Sequence, residues 1–277
     1  MNLNTLIEKY AAALKSAGIE NFQNEARWLV LETLALPASA LFGDFEPSDA
    51  QMELLEKQLS RRCRREPLQY ILGNAPFGEL DLKVTPAVLI PRCETEILVD
   101  YAVKHLPAGG TLLDVGCGSG AIGLLAAYRR RDIAVTALDK SPEALRVAGE
   151  NARLLELDCR VTFKESDLLS VLTEEKFDLI AANLPYVTFA EYADLAPEVR
   201  SFEPQSALTA PEEGMALIFE LIRTAPSFLI PGGRIVLEMS PHQTARAEAA
   251  LEASAFGDVE IFADQFGKMR FVAAQYR

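Results

Sequence analysis

The sequence predicts an α/β protein, a mostly parallel sheet with helices on both faces, preceded by a small helical segment and a β-hairpin. Two observations carry this. After about Gly109, short β-prone apolar runs alternate with helical stretches, the pattern of a parallel sheet covered on both sides. Before it, the first sixty-odd residues repeat their apolar positions every three or four residues, and residues 76–91 alternate like a hairpin.

In the helical segment, Leu3, Leu6, Ile7, Tyr10 and Leu14 share one face, and Gly18 ends that helix. A second helix is expected over 24–34 with Trp28, Leu31 and Leu34 inward, and Pro37 lies beyond its end. A third starts at the cap Ser48, carries Met52, Leu55 and Leu59, and ends in a basic run from Arg61 to Arg65. That run reads first as cations set against the negative end of a helix dipole, and second as a contact for RNA or an acidic partner. In the hairpin, Phe77, Leu80, Leu82 and Val84 alternate with polar residues, and Thr85-Pro86 turns the chain into Val88-Leu89-Ile90. A helical pattern resumes from Glu94 to His105.

The sheet strands are expected at 111–115, 134–138, 160–163, 177–182 and 234–239, with Pro231-Gly232-Gly233 as the turn entering the last. The segments 259–262 and 269–274 form a closing antiparallel hairpin at one side of the sheet.

Composition narrows the chemistry. The 277 residues carry a net charge of −13, which repels a phosphate backbone and argues against general nucleic-acid coating. Four cysteines form no CxxC pair and there are two histidines, so no metal-site spacing appears. No signal-peptide pattern or bilayer-length apolar stretch is present, so a reduced, cytoplasmic setting with no membrane is expected.

The strand at 111–115 runs into Gly116-Cys117-Gly118-Ser119-Gly120, and a helix follows from Ala121. Glycines let a ligand approach the main chain, and the helix start offers free N–H groups. Asp139, at the end of the next strand, can accept both hydroxyls of a ribose, so the pair reads as a nucleoside site. Gly116, Gly118 and Ala121 also satisfy the GxGxxA dinucleotide fingerprint, so NAD and S-adenosylmethionine both stay open at this point. Asp114 and the tight GxGxG spacing lean toward the sulfonium cofactor.

Asn183-Leu184-Pro185-Tyr186 follows the strand at 177–182, at the sheet edge where ligands bind. Here the sequence resembles amino methyltransferases with an Asn-Pro-Pro-Tyr type motif, which act on planar NH2 groups. The lone pair of such a nitrogen is delocalised and must be aimed. The Asn183 side-chain oxygen and the Leu184 carbonyl can hold its two hydrogens. Pro185 restricts Leu184 to extended geometry, and Tyr186 can stack on the flat group.

Further segments extend the likeness. Pro91-Arg92-Cys93-Glu94-Thr95-Glu96, Glu66 to Gly73, Glu198-Val199-Arg200, Phe202-Glu203-Pro204, Glu238, Asp264, Gly267 and Arg270 resemble the protein-(glutamine-N5) methyltransferases that modify peptide chain release factors. The resemblance implies a seven-stranded Rossmann-like S-adenosylmethionine-dependent methyltransferase domain (92–277), an N-terminal helical substrate-recognition domain (1–73) and a β-hairpin linker (74–91). It implies methylation of the glutamine in the release factors' Gly-Gly-Gln loop. Gly116, Cys117, Gly118, Ser119, Gly120, Asp139 and Asn183 are then expected at the cofactor, with Asp167 and Leu168 flanking the adenine. Asn183, Leu184, Pro185 and Tyr186 are expected to hold the glutamine.

Two residues depart from the family pattern. Cys93 replaces a proline, and Leu184 replaces the first proline of Asn-Pro-Pro-Tyr. Asn-Leu-Pro-Tyr is similar to the motif of ribosomal-RNA adenine dimethyltransferases, which makes adenine-N6 methylation of RNA or DNA the rival reading. A NAD-dependent oxidoreductase leaves Asn183–Tyr186 unexplained, and an idle release-factor adaptor is a fourth reading.

Overall fold

The structure is a computed structural model that describes residues 2–43 and 45–277. Two compact units emerge: Met1–Asn74 with Ala196–Phe202, and Ala75–Leu195 with Glu203–Arg277.

The smaller unit contains helices α1 (Leu3–Ser16), α2 (Phe22–Thr33), α3 (Asp49–Cys63) and α4 (Leu68–Leu72), and the later short helix Pro197–Phe202. Helix α1 starts because the Asn2 side chain accepts the Thr5 N–H at 2.9 Å. It buries Leu3, Leu6, Tyr10 and Leu14 along one stripe, and each buried leucine contributes roughly 1.5–3 kcal/mol. Its chain turns away at Gly18, whose φ of 77° suits glycine. In α2 the fully buried face is Ala26, Leu29 and Val30, not the expected Trp28 and Leu31, which are half-buried. Trp28 still packs against the core cluster that Ala26, Leu29 and Val30 belong to, at its partly exposed edge. The Ser48–Gln51 capping box opens α3.

The basic run at the end of α3 is spoken for. Arg62 is buried, with its guanidinium against Glu25 and Glu198. Arg65 pairs with Glu198 and with the Gly18 carbonyl, and Arg61 with Glu66. These arginines stitch the helical unit together internally.

Strands β1 (Asn74–Phe77) and β2 (Leu80–Lys83) form a two-stranded sheet. It ends at Lys83, so the stretch to Ile90 that the sequence pattern had joined to it is irregular, built on a turn from Thr85 to Val88. Phe77, Leu80 and Leu82 belong to the same hydrophobic cluster as Leu112 and Leu124, so the hairpin is part of a core.

The remaining order is α5 (Thr95–His105), β3 (Thr111–Val115), α6 (Ala121–Arg129), β4 (Ala134–Asp139), α7 (Pro142–Leu154), β5 (Val161–Glu165), β6 (Phe177–Ala182), α8 (Ala216–Thr224), β7 (Leu229–Glu238), α9 (Thr244–Glu252), β8 (Phe256–Ala263) and β9 (Met269–Tyr276). The seven-stranded sheet runs β5-β4-β3-β6-β7-β9-β8. Strands β3 to β7 are parallel, and β9 is antiparallel to both β7 and β8. Leu112 faces the cluster formed with α5, α6 and α7. Leu113 and Val115 face the opposite cluster with α8 and α9. The closing hairpin is found, with β9 inserted between β7 and β8. Pro231-Gly232-Gly233 lies inside β7 as an irregularity opposite Phe177–Leu179, not as a turn before it.

The chain leaves β3 toward β4 and β5 on one side, and places β6 and β7 on the other. That reversal beside β3 opens a crevice at the strands' carboxyl ends.

Candidate active site

A cavity of about 490 Å³ occupies that crevice. The loops after β3, β4, β5 and β6 all reach it, bringing together Gly116, Cys117, Gly118, Ser119, Asp139, Asp167, Leu168, Asn183, Leu184 and Pro185. Of the expected site residues, Gly120 and Tyr186 do not line it.

The glycine loop is held by main-chain bonds. The N–H groups of Gly116 and Cys117 both donate to the Leu138 carbonyl, at 2.8 and 2.9 Å, which ties the end of β3 to the end of β4. At Gly118, φ is 55° and a Cβ would meet nothing within 4 Å, so the main chain there borders open cavity. Gly120 differs: a Cβ would lie 2.8 Å from Leu124 Cδ1, and its role is close packing at the start of α6.

Asp139 is half-buried. Its Oδ2 accepts the Gly118 N–H and its Oδ1 the Ser141 N–H, both at 2.9 Å. Each carboxylate oxygen keeps lone-pair capacity toward the cavity, which suits the two hydroxyls of a ribose. An open glycine main chain beside a half-buried carboxylate at a parallel-sheet switch point fits the nucleoside end of S-adenosylmethionine. Leu168, with φ of 48°, takes a left-handed conformation that leucine rarely adopts. The buried Ser166 holds that turn, donating to the Leu168 carbonyl at 2.7 Å and accepting from Val171 N–H at 3.2 Å.

At the other end, Leu184 is buried against Gly116, where a Cβ would come within 3.0 Å of Leu184 Cδ2. The Asn183 amide donates to Thr95 Oγ1 at 3.1 Å, leaving its oxygen as an acceptor. Tyr186 sits among Glu238, Arg270, Arg92 and Glu94, and burial, then the Glu238 charge, pushes its hydroxyl up to about 12.

Two supporting residues, Asn151 and Gln243, escaped the sequence reading, and two more, Glu203 and Glu238, entered it only within the family resemblance, with no role assigned. Asn151 of α7 donates to the carbonyls of Ser119 and Lys83 and accepts from Lys83 N–H, locking the glycine loop to the end of β2. Glu203 accepts from Ile90 N–H and from Arg92, fixing one cavity wall. Gln243 donates to the carbonyls of Tyr186 and Glu213. Glu238, at the end of β7, is buried, and burial raises its carboxyl to about 7 although the nearby Thr95 hydroxyl and Asn183 amide favour the ionised form. No local pattern assigns these residues a partner, since each acts on a segment far away in sequence. Asp114, read as a hint toward the sulfonium cofactor, is not in the cavity wall. It accepts the Gly123 N–H of α6 at 2.9 Å instead.

Among the described residues no helix is long and apolar enough to cross a membrane, and no cluster of three or more His, Cys, Asp or Glu is placed to hold a metal.

Comparison with known proteins agrees with this geometry. A family described as "Methyltransferase domain" matches residues 106–269, and one described as "PrmC N-terminal domain" matches residues 5–73. The release factor glutamine methyltransferase of Geobacter sulfurreducens is 34% identical over 95% of this chain and 92% of its own. That of Salmonella typhimurium is 38% identical over 85% of this chain and 84% of its own. Among solved structures, a methyltransferase from Pyrococcus furiosus superposes with a TM-score of 0.55 at 19% identity, covering 72% of this chain and 89% of that one. The likeness to that structure is one of fold. With near-complete coverage at this level of identity, the chain belongs to the release factor glutamine methyltransferase family.

Proposed function

We infer that this chain transfers the methyl group of S-adenosylmethionine to the side-chain amide nitrogen of the glutamine in the Gly-Gly-Gln motif of peptide chain release factors. One observation above all supports it: in a chain of this family, the carboxylate of Asp139 and the acceptors of Asn183 and Leu184 border a single cavity.

Bound there, S-adenosylmethionine supplies a methyl group activated by its sulfonium charge. The loop from Gly116 to Ser119 and the Asp139 carboxylate hold the nucleoside, with Asp167 and Leu168 at the adenine. Asn183 Oδ1 and the Leu184 carbonyl accept the two hydrogens of the glutamine NH2, so the nitrogen is oriented along one line of approach. Pro185 borders the same cavity, and Tyr186, outside its lining, anchors the motif through the bond its carbonyl accepts from Gln243. No histidine lines the cavity. None is needed, because an alkylated amide nitrogen is acidic enough to lose its proton without a dedicated base.

Leu184 keeps the main-chain carbonyl that the motif requires, so the departure from Asn-Pro-Pro-Tyr does not by itself redirect the enzyme to adenine. The net charge of −13 and the internally paired Arg61, Arg62 and Arg65 also disfavour a nucleic-acid substrate. The helices of residues 1–73 serve as the release-factor recognition domain. The setting is cytoplasmic, in keeping with four free cysteines.

The test is methyl transfer from labelled S-adenosylmethionine to a purified release factor and to its Gln→Ala variant in the Gly-Gly-Gln loop. Label in the first and none in the second is expected. Label in neither, but in RNA or DNA, would replace glutamine by adenine as the substrate.

A further inference from the structure

An asparagine amide can serve as an acceptor in only one of its two orientations. Oδ1 and Nδ2 have nearly the same shape, and a flipped Asn183 would present a donor to a substrate group that is itself a donor. Something behind the side chain must choose between them.

Behind Asn183 stands Thr95, the first residue of α5, 4% exposed. Its Oγ1 accepts from Asn183 Nδ2 at 3.1 Å. Beside both stands Glu238, 3% exposed, whose ionised form is favoured by the neighbouring Thr95 hydroxyl and Asn183 amide. The carboxylate's Oε2 has no partner at all. Above about pH 7, where Glu238 is ionised, its carboxylate only accepts, so the single hydroxyl hydrogen of Thr95 is drawn to it. The Thr95 lone pairs then face Asn183, and the Asn183 group turned toward them must be the NH2.

We propose that Glu238 and Thr95 are positioning residues for the methyl transfer: they form a one-way hydrogen-bond relay that fixes the Asn183 amide with Oδ1 toward the substrate. The proposal rests on the reading of Asn183 as an acceptor of the substrate's amide hydrogens.

Energetics support a role beyond folding. A buried carboxylate with an unpartnered oxygen is destabilising, and an apolar side chain at the end of β7 would be cheaper. Arg270 offsets the charge only in part, and Glu94 adds to the repulsion. What the carboxylate offers in return is direction, which an apolar residue cannot give.

The experiment compares the full-length enzyme with Thr95→Val, Thr95→Ser and Glu238→Gln. Valine keeps the shape of threonine and removes the hydroxyl; serine keeps the hydroxyl. Thr95→Val should lower kcat about tenfold to a hundredfold. Its dissociation constant for S-adenosylmethionine, measured by calorimetry, should stay within about threefold of wild type. Thr95→Ser should return kcat to within about threefold. Glu238→Gln, able to donate as well as accept, should fall between the two. In 15N-labelled protein the Asn183 side-chain NH2 signal, assigned by its loss in Asn183→Asp, should be protected from exchange in wild type and Thr95→Ser and unprotected in Thr95→Val.

Undiminished kcat in Thr95→Val, or a Thr95→Ser as impaired as Thr95→Val, overturns the relay. So does an Asn183 signal indifferent to the hydroxyl. If Thr95→Val does not fold, Glu238→Gln decides, with wild-type kcat and wild-type Asn183 protection as the overturning result. Failure of the wild type to methylate a release factor sinks the functional reading instead, and the exchange measurement then still decides whether Thr95 and Glu238 orient Asn183.

Discussion

The main chain at Gly214 presses on the Tyr186 carbonyl so closely that a Cβ there would lie 1.9 Å from that oxygen. The same oxygen accepts from Gln243 Nε2 at 2.8 Å. Gly214 also holds a φ of 79°. Both space and conformation therefore demand glycine, and the segment it presses on is the Asn183–Tyr186 motif proposed to hold the substrate. Gly214→Ala should cost about 2–4 kcal/mol of stability and lower kcat at least tenfold, by displacing Tyr186 and its neighbours. Urea unfolding and a methyl-transfer assay on the folded fraction check this. A stable variant of normal activity would mean that the loop at 212–215 relaxes freely away from the motif.

Asn183→Ala removes one of the two acceptors proposed for the substrate nitrogen. Turnover should drop about a hundredfold or more, because the lost interaction orients the reacting atom. Affinity for S-adenosylmethionine should move far less. Equal losses in both would assign Asn183 chiefly to the cofactor.

Asp139→Ala should reverse that division. The carboxylate, proposed as the ribose acceptor, also receives the Gly118 and Ser141 N–H groups. Its loss both deletes hydroxyl contacts and loosens the loop, so the dissociation constant should rise about a hundredfold or more. At saturating cofactor kcat should recover most of its value. Calorimetry gives the first quantity and cofactor titration of the transfer rate the second; unchanged affinity would remove Asp139 from the ribose.

What the sequence made legible, and what it hid, follow from the range of the interactions. Strand β3, the glycine loop, Asp139 and the Asn183 motif are local signals: period, turn chemistry and strand ends all lie within a dozen residues. The hidden part is long-range. Asn151 joins Ser119 to Lys83, Glu203 joins Pro204's neighbourhood to Arg92, and Glu238 reaches Asn183 only once β6 and β7 pair. Period placed Trp28 against the core, where it packs at a partly exposed edge, but did not mark Ala26, Leu29 and Val30 as the fully buried face. Asp114 misled for the opposite reason, being adjacent to the loop in sequence yet turned toward α6 in space.

Leu184→Pro tests the departure from the family motif. The substitution keeps the carbonyl and restrains Asn183 to extended geometry, but it gives up a buried side chain that packs on Gly116. Stability should fall by about 1–3 kcal/mol from the lost packing. Specific activity of the folded enzyme should hold or rise. Loss of activity without loss of stability would show that this chain's own motif backbone needs the freedom that leucine allows.

Asp114 gives a pH signature. It is fully buried, its Oδ1 has no partner, and burial, opposed by the Gly123 N–H and reinforced by the Asp139 charge, raises its carboxyl to about 7 from 3.8. Between those values the folded chain keeps a proton that the unfolded chain has released. Stability from this group is therefore full below about pH 4, falls as pH rises through 7, and is level above it. Asp114→Asn retains an acceptor for Gly123 and cannot ionise. It should exceed wild type by about 2 kcal/mol at pH 8, with the advantage shrinking toward pH 5. Urea unfolding of both proteins at the two pH values measures the difference. A variant less stable at pH 8 than at pH 5, relative to wild type, would show that the folded chain holds Asp114 ionised and compensated.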